Sequence, residues 1–473
     1  MNALHRDLMR LVPLIEAQES PRVEADLWRQ QFHLTPPVGW LNDPNGLCYF
    51  RGNYHVFYQY GPFDPNGGVK FWGHARSRDL LHWERLPVML CPDQPYDIHG
   101  AYSGSALVED DTLYLYYTGN VKHAGDYDYI TAGRGHNTCL AVSHDGVTAD
   151  SKTLLMENRD YPAGLTCHVR DPKVWKENGR YYMVQGARTL DDRGEVLLFV
   201  SEDREHWTLA NVLTTPDPLG YMWECPDLFT VGGQRFLSVS PQGAPHDGPD
   251  HQNVYSCGRF PLAGDPAGAY TLGDFTAWDY GFDFYAPQTF EDGKGRRLLI
   301  GWMGMPDADY GNPTAERGWQ HCMTLPCELT LGADGTLRRN PVSEITALYG
   351  AERVLAPCAD MTVSDVRTFA LDWRTDGQPF TLVVRGCAVL EWSDGMLRLS
   401  FRKGSAGRTV RQVPVEHIDR LRVFEDASSI EYFVNDGETV LSTRYYPEDS
   451  DDGLFFGAGA GQASLWPLAD ARL

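Results

Sequence analysis

"GLCYFRGNYHVFYQ" (residues 46–59) is an apolar run, a Gly-Asn turn and an aromatic-rich run, the pattern of an antiparallel hairpin. The pattern returns four times: "SALVEDDTLYLYYTG" (105–119), "PKVWKENGRYYMVQG" (172–186), "PDLFTVGGQRFLSVS" (226–240) and "PQTFEDGKGRRLLIGW" (287–302). Successive starts lie roughly 50–70 residues apart, enough for a four-stranded unit with its loops. A second echo supports the repeat. "SRDLLHW" (77–83) and "SEDREHW" (201–207) share S-x-D-x-x-x-W, and "SHDG" (143–146) repeats its beginning. Five such units predict a five-bladed β-propeller; an irregular β-sandwich with fortuitous hairpins is the alternative.

Just before the first hairpin, "GWLNDPNG" (39–46) places two turn signals back to back, Asp43-Pro44 and Asn45-Gly46, where one turn needs only one. Just ahead of the first strand of each hairpin stand Asp43, Ser103, Asp171 and Glu224, with Asp283 slightly further back. Equivalent positions of propeller blades converge on the axis, so these carboxylates are predicted to share one pocket. Close carboxylates repel, and one of them is expected to keep its proton near neutral pH. A neutral acid and an ionised carboxylate on opposite sides of a bond are the machinery of glycoside hydrolysis. Trp40, Trp72, Trp223, Trp302 and Trp319, near the same strand entrances, are expected to offer apolar faces to a sugar ring. Singly, each acid has an ordinary reading: an Asp before Pro is a turn residue, and Arg170-Asp171 reads as a surface ion pair. Glu224, between Trp223 and Cys225, is harder to explain, since an apolar setting is costly for a carboxylate.

The rest of the chain narrows the class. With 13 Trp, 24 Tyr and few helix-like stretches in 473 residues, the composition leans all-β. A formal charge of −23 repels nucleic acid and anionic membrane, but leaves room for a small anionic substrate held by local cations. Ten irregularly placed cysteines without a CxxC fit reduced thiols and a cytoplasmic location. "MNALHRDLMRLVPLIEAQES" (1–20) puts Leu4, Leu8, Leu11 and Ile15 on one face of a short amphipathic helix and lacks the continuous apolar core of a signal peptide. Nothing suggests a metal: there is no HExxH, and "HDGPDHQN" (246–253) reads as a polar loop. "GAGAGQ" (457–462) follows a β run and opens no helix, so it reads as tight turns rather than a phosphate loop.

Taken together, these motifs resemble glycoside hydrolase family 32, the β-fructofuranosidases, and in particular its bacterial members that act on sucrose 6-phosphate. The matching stretches are "GWLNDPNG" (39–46), "HVFYQY" (55–60), "FWGHARSRDLLHW" (71–83), "YSGSA" (102–106), "LYYTGNV" (115–121), "VRDPKV" (169–174), "ECPDL" (224–228), "YAPQTF" (285–290), Gly301-Trp302 and "TLPCELTL" (324–331). They run in family order through the first 340 residues. The resemblance implies a propeller followed by a β-sandwich and a retaining mechanism without metal or organic cofactor. Asp43 would be the nucleophile, Glu224 the acid/base and Asp171 the transition-state stabiliser. Asn42, Gln59, Trp72, Tyr102, Ser103, Arg170, Asp283 and Trp302 occupy family positions that line the fructose pocket. Three residues depart from the pattern: Val169 and Tyr102 each replace a Phe, and Cys327 replaces an Arg. "YGPFDPNGGVKFWGH" (60–74) has the form seen in the sucrose-6-phosphate-cleaving members and is expected to reshape the site beyond the scissile bond.

The expected layout is an N-terminal helical segment (1–30), the propeller (31–345), a linker (346–365) and a sandwich (366–473). The alternating runs of the sandwich include a hairpin signal at Asn435-Asp436-Gly437. The expected reaction is hydrolysis of a terminal β-fructofuranoside, sucrose 6-phosphate or sucrose. Lys122, His123, Arg134 and His136, after the second hairpin, are the candidate phosphate contacts. The alternatives are an intracellular invertase or fructo-oligosaccharide hydrolase with transfructosylating activity and, in another class, a non-catalytic sugar-binding propeller.

Overall fold

In the computed structural model, which describes residues 2–472, all five hairpins form. Gly39–Phe50 pairs with Asn53–Gly61, and Ala101–Glu109 with Thr112–Lys122. Leu165–Glu177 pairs with Arg180–Thr189, Met222–Val231 with Gln234–Gln242, and Tyr285–Glu291 with Arg297–Met303. Each hairpin opens a sheet of four or five strands. The opening strands pack against one another in succession, and the fifth packs back against the first. Trp319–Gln320 then returns to run parallel beside Gly39–Trp40. Sheets stacked in this way bury both faces of a strand. From Tyr54 to Gly61 every residue is buried, so that strand reads as a continuous apolar run rather than an alternating one.

The S-x-D echo has a simple physical origin. Asp79 Oδ1 accepts the N–H groups of Leu81 and His82 and the hydroxyl of Ser77. Asp203 does the same for Glu205, His206 and Ser201, and Asp145 for Val147, Thr148 and Ser143. One Asx-type turn thus joins the third and fourth strands of three sheets.

From Arg353 onward the chain builds two six-stranded antiparallel sheets around a common core that includes Leu371, Leu382, Leu390 and Leu421. The interval expected to be a linker belongs to them: Arg353–Leu355 and Met361–Val363 are edge strands, one in each sheet. Asn435-Asp436-Gly437 turns the chain between Ser429–Val434 and Thr439–Arg444, as its signal predicts.

The N-terminal helix spans Ala3–Glu24, and its buried face matches the expected one only in part: Leu8 packs on the core and Ile15 is half-buried. Leu4 and Leu11 are exposed, whereas Val12 and Val23 are buried. Polar anchors set this rotation: His5 Nδ1 meets Asp93 Oδ2 at 2.6 Å, and Glu16 accepts the Tyr60 hydroxyl at 2.8 Å. No helix among the described residues is long and apolar enough to cross a membrane. All ten cysteines are free thiols.

Two buried ionic clusters tie the C-terminal sheets to the rest. His33 is held between Asp426 and Glu431, at 2.8 and 3.0 Å. Asp283 receives Arg408 Nε and Nη2 at 2.7 and 2.8 Å and the Arg444 N–H at 2.8 Å. The Arg408 and Asp283 side chains are 0% and 1% exposed. Arg408→Met leaves that carboxylate buried without its partner and is expected to cost about 3–5 kcal/mol. A lower unfolding midpoint in denaturant would register the loss; an unchanged midpoint would show that the pair contributes nothing to stability.

Candidate active site

Every opening strand breaks register at least once. Asn42-Asp43 lie opposite Gln59, Ser103 is unmatched between Tyr102 and Gly104, and Asp171-Pro172 face Gln185. Cys225-Pro226 face Val239, and Ala286-Pro287 face Gly301. Proline has no N–H to lose at a bulge, and a bulge bends its strand and redirects a side chain. Asp171, Cys225 and Ala286 adopt left-handed backbone, with φ of 64°, 47° and 48°, a strain that concentrates at functional sites. The doubled turn signal of the first hairpin has the same cause. Asn42-Asp43 makes the bulge just ahead of Pro44, and Gly46-Leu47 makes a second register break before Cys48. Gly46 is required there: its φ is +53°, and a Cβ would lie 2.7 Å from the Phe57 ring.

Aligning the strands on the residue before proline, and the second strand on its unmatched Ser103, corrects the expected equivalences. That slot holds Asp43, Ser103, Asp171, Cys225 and Ala286, and the residues before it are Asn42, Tyr102, Arg170, Glu224 and Tyr285. Glu224 therefore sits one step outside the ring of Asp43 and Asp171. Asp283 lies three residues ahead of its bulge, and its oxygens are taken by Arg408 and Arg444, so it is not in the pocket as expected but in the contact with the C-terminal sheets.

The remaining acids do converge. Cys225 Sγ lies 3.6 Å from Asp43 Oδ2 and 3.6 Å from Asp171 Oδ2. Asp43 accepts the Ser103 hydroxyl at 2.6 Å and the Asn42 amide at 2.9 Å, and the Trp40 indole donates to Asn42 at 2.6 Å. Asp171 accepts the Cys225 N–H at 2.9 Å, and its own N–H donates to Thr118 Oγ1. Glu224 is gripped on both oxygens: Arg170 donates through Nε and Nη2 to Oε1 at 3.1 and 2.6 Å, and the Tyr285 hydroxyl donates to Oε2 at 2.7 Å. Burial pushes the Asp171 carboxyl up to about 7, reinforced by Glu224 and Asp43 and opposed by Arg170. The acid cluster therefore holds a proton near neutral pH, shared as a property of the group. That is the condition for one acid and one base to coexist.

Gln59 is buried, its amide donating to Ala101 O at 3.0 Å. The five tryptophans do not all face the pocket: Trp72, Trp223, Trp302 and Trp319 are buried, and Trp40 alone is partly exposed. Trp72 donates to Tyr102 O at 2.9 Å, a structural bond, and Trp302 packs 6.3 Å from Tyr285 and 6.0 Å from Trp40. Of the four candidate phosphate contacts, Lys122 and His123 lie exposed on the loop, with Lys122 over the Tyr129 ring. His136 is wholly enclosed, and burial pushes it well below its ordinary range, so it is a neutral ring rather than a cation. Arg134 is half-buried, and its charge acts on Tyr102. Sequence reasoning missed Tyr285, Cys225 and Thr118. Counting from the prolines would have found the first two, since they occupy the Glu224 and Asp171 slots of their strands. Among the described residues, no group of three or more His, Cys, Asp or Glu is placed to hold a metal ion.

The geometry agrees with the relatives of the chain. Residues 33–341 match the Glycosyl hydrolases family 32 N-terminal domain, and residues 397–470 match the Glycosyl hydrolases family 32 C terminal. The chain is 41% identical to the sucrose-6-phosphate hydrolase of Bacillus subtilis over 465 residues, 94% of this chain and 95% of that one. The structure of sucrose-6-phosphate hydrolase from Lactobacillus gasseri superposes with a TM-score of 0.88 at 28% identity, covering 97% of both chains. A GH32 β-fructofuranosidase of Bombyx mori superposes with a TM-score of 0.87 at 31% identity over 99% of both. With its acids brought together on strand bulges and its two halves both matched, the chain belongs to glycosyl hydrolase family 32 and is a glycoside hydrolase.

Proposed function

We propose that the enzyme hydrolyses terminal non-reducing β-D-fructofuranosides with retention, sucrose 6-phosphate being the leading substrate and sucrose the second. The observation that carries this reading is the meeting of Asp43, Asp171 and Glu224 around Cys225 and Arg170, in a chain 41% identical to a sucrose-6-phosphate hydrolase. In this reading residues 31–345 form a five-bladed propeller, each sheet one blade, and the sheets from about residue 366 form a sandwich with edge strands from the 346–365 interval. The ten free thiols favour a cytoplasmic enzyme.

The chemistry follows from the placement of the groups. Asp43, held by Ser103 and Asn42, attacks the anomeric carbon of the fructosyl unit while Glu224 gives its proton to the departing glycosidic oxygen. Water then attacks the fructosyl-enzyme ester, with Glu224 taking a proton from it, and Asp43 is released. Asp171 stands against the ring where positive charge develops. Arg170 and Tyr285 fix the Glu224 carboxyl and leave it no other orientation. Fructose hydroxyls are the natural partners of Asp171 and Asn42, and Trp40 and Tyr102 are half-exposed aromatic faces that can meet a sugar.

The deciding experiment compares kcat/KM for fructose release from sucrose 6-phosphate, sucrose and 1-kestose. A preference of about tenfold or more for the phosphorylated sugar is expected, equivalent to about 1.4 kcal/mol of added transition-state binding. Equal or faster turnover of the neutral sugars would make the protein an invertase or fructo-oligosaccharide hydrolase. No fructose release from any of them would overturn the reading.

A further inference from the structure

One half-buried lysine beside this pocket makes no ion pair. Lys152, Lys173, Lys176, Lys294 and Lys403 each pair with an acid. Among the described residues, the half-buried Lys70 and the exposed Lys122 do not. In a chain with 64 acidic and 41 basic residues, a half-buried lysine that makes no ion pair is out of the ordinary.

Its surroundings place it at the reacting centre. Lys70 ends the loop that leads into the strand Phe71–Ser77, and its Nζ lies 4.6 Å from the centroid of the Trp40 ring. The Trp40 indole holds Asn42, and Asn42 holds Asp43. On the other side, Lys70 O accepts the Ala101 N–H at 2.9 Å, next to Tyr102. A methyl group on Gly100 would lie 2.7 Å from the Tyr102 ring and 3.5 Å from Lys70 N, so the ring rests against this backbone. The Tyr102 and His136 ring centroids lie 5.9 Å apart, and the half-buried Arg134 is within electrostatic reach of Tyr102 and of Arg170, which grips Glu224. Two cations thus stand near the pocket, Lys70 beside Trp40 and Arg134 toward Tyr102.

We propose that Lys70 and Arg134 form a clamp that takes a phosphate monoester on the leaving sugar, and that Lys70 sets the preference for the phosphorylated substrate. The inference rests on the sucrose 6-phosphate reading above. A phosphate monoester carries about −1.5 to −2 charges at pH 7, and lysine binds it as a movable point charge where arginine binds it as a planar fork. Burial pushes Lys70 down to about 7, with Asp43 and Asp64 pulling the other way. The other groups facing this corner are Tyr102, Arg134 and His321, the last a buried ring pushed well below its ordinary range and therefore neutral. In the empty pocket near neutral pH, Lys70 is only partly charged; an arriving phosphate draws the proton back onto it. A neutral sugar gives it no such reason to ionise, which separates the two substrates by charge.

The test uses the full-length enzyme and reads one quantity, the ratio of kcat/KM on sucrose 6-phosphate to that on sucrose. Lys70→Met is expected to lower this ratio about 10–100-fold, the range for losing a hydrogen bond to a charged group. Lys70→Arg is expected to keep it. In the unaltered enzyme the ratio should fall as pH rises above about 7, where lysine gives up its proton, and in Lys70→Arg it should not. That pH comparison also serves if the methionine variant fails to fold. A Lys70→Met ratio equal to the original overturns the clamp while the substrate reading stands. Equal losses on both sugars overturn it too, and would make Lys70 a positioning residue for Asp43 acting through Trp40. An unaltered enzyme with no preference overturns the substrate reading and the clamp with it.

Discussion

Asp43→Asn is expected to lower turnover of every fructoside on the order of 10⁴–10⁶-fold, the scale on which enzymes lose their nucleophile. The amide is nearly the same size, so the bulge at Asn42-Asp43 and the bond from Ser103 have no reason to change. Substrate should still bind, because Trp40, Asn42, Asp171 and Arg170 are untouched. The measurement is a pair: kcat by fructose release, and Kd by calorimetry with the same sugar. Lost turnover with Kd within a few-fold is the expected result. Lost binding would mean that the substitution collapsed the pocket, and retained turnover would remove Asp43 from the chemistry altogether.

Glu224→Gln should cost about 10²–10⁴-fold on natural substrates, the range for a lost general acid. The loss should shrink on a fructoside with a good leaving group, which needs no proton to depart. An equal loss on both would argue against the acid role. The pH profile adds an independent check. Burial and its two acidic neighbours hold the Asp171 carboxyl at about 7, so the acid cluster sheds its proton as pH rises through that region. Asp171 acts against the developing positive charge as a carboxylate, so kcat/KM should rise as pH rises through about 7, and should do so in Glu224→Gln as well.

Much of this was legible in the chain, and the reasons are specific. The hairpins were readable because each carries its own turn signal between two runs of strand-forming residues, so no distant contact is needed to recognise it. The S-x-D echo was readable because an aspartate caps its own turn. Asp43, Asp171 and Glu224 were found by their distance ahead of a strand, which was nearly right. The missing step was the bulge, whose marker is the proline: counted from Pro172, Pro226 and Pro287, Glu224 and Tyr285 fall in one slot, and Asp283 falls outside it. Tryptophan exposure was not readable. Whether Trp72 or Trp40 faces solvent depends on which strands pack over it: Tyr102 and Tyr117 of the next sheet for Trp72, Trp302 and His321 of the last for Trp40. The rotation of the N-terminal helix failed in part for the same reason, because Asp93 and Tyr60 fix it from outside the helix.

The ion pair between Asp283 and Arg408 has a consequence for how the chain is made. The strands of the five catalytic sheets are all synthesised by Pro341, yet Asp283 has no cation until Arg408 leaves the ribosome, and the Arg444 N–H that completes its shell comes later still. His33, near the start, waits longer, for Asp426 and Glu431. At about 5–20 residues per second, the nascent catalytic part stays unfinished for several seconds to tens of seconds after its last strand appears. Until then the Asp283 carboxylate lacks the partners that offset its burial, so the catalytic sheets are expected to reach their final packing only once Arg408 and Arg444 have emerged. A ribosome stalled at residue 345 should display a protease-sensitive chain, and one stalled well past residue 473 on an added tail should display a resistant one.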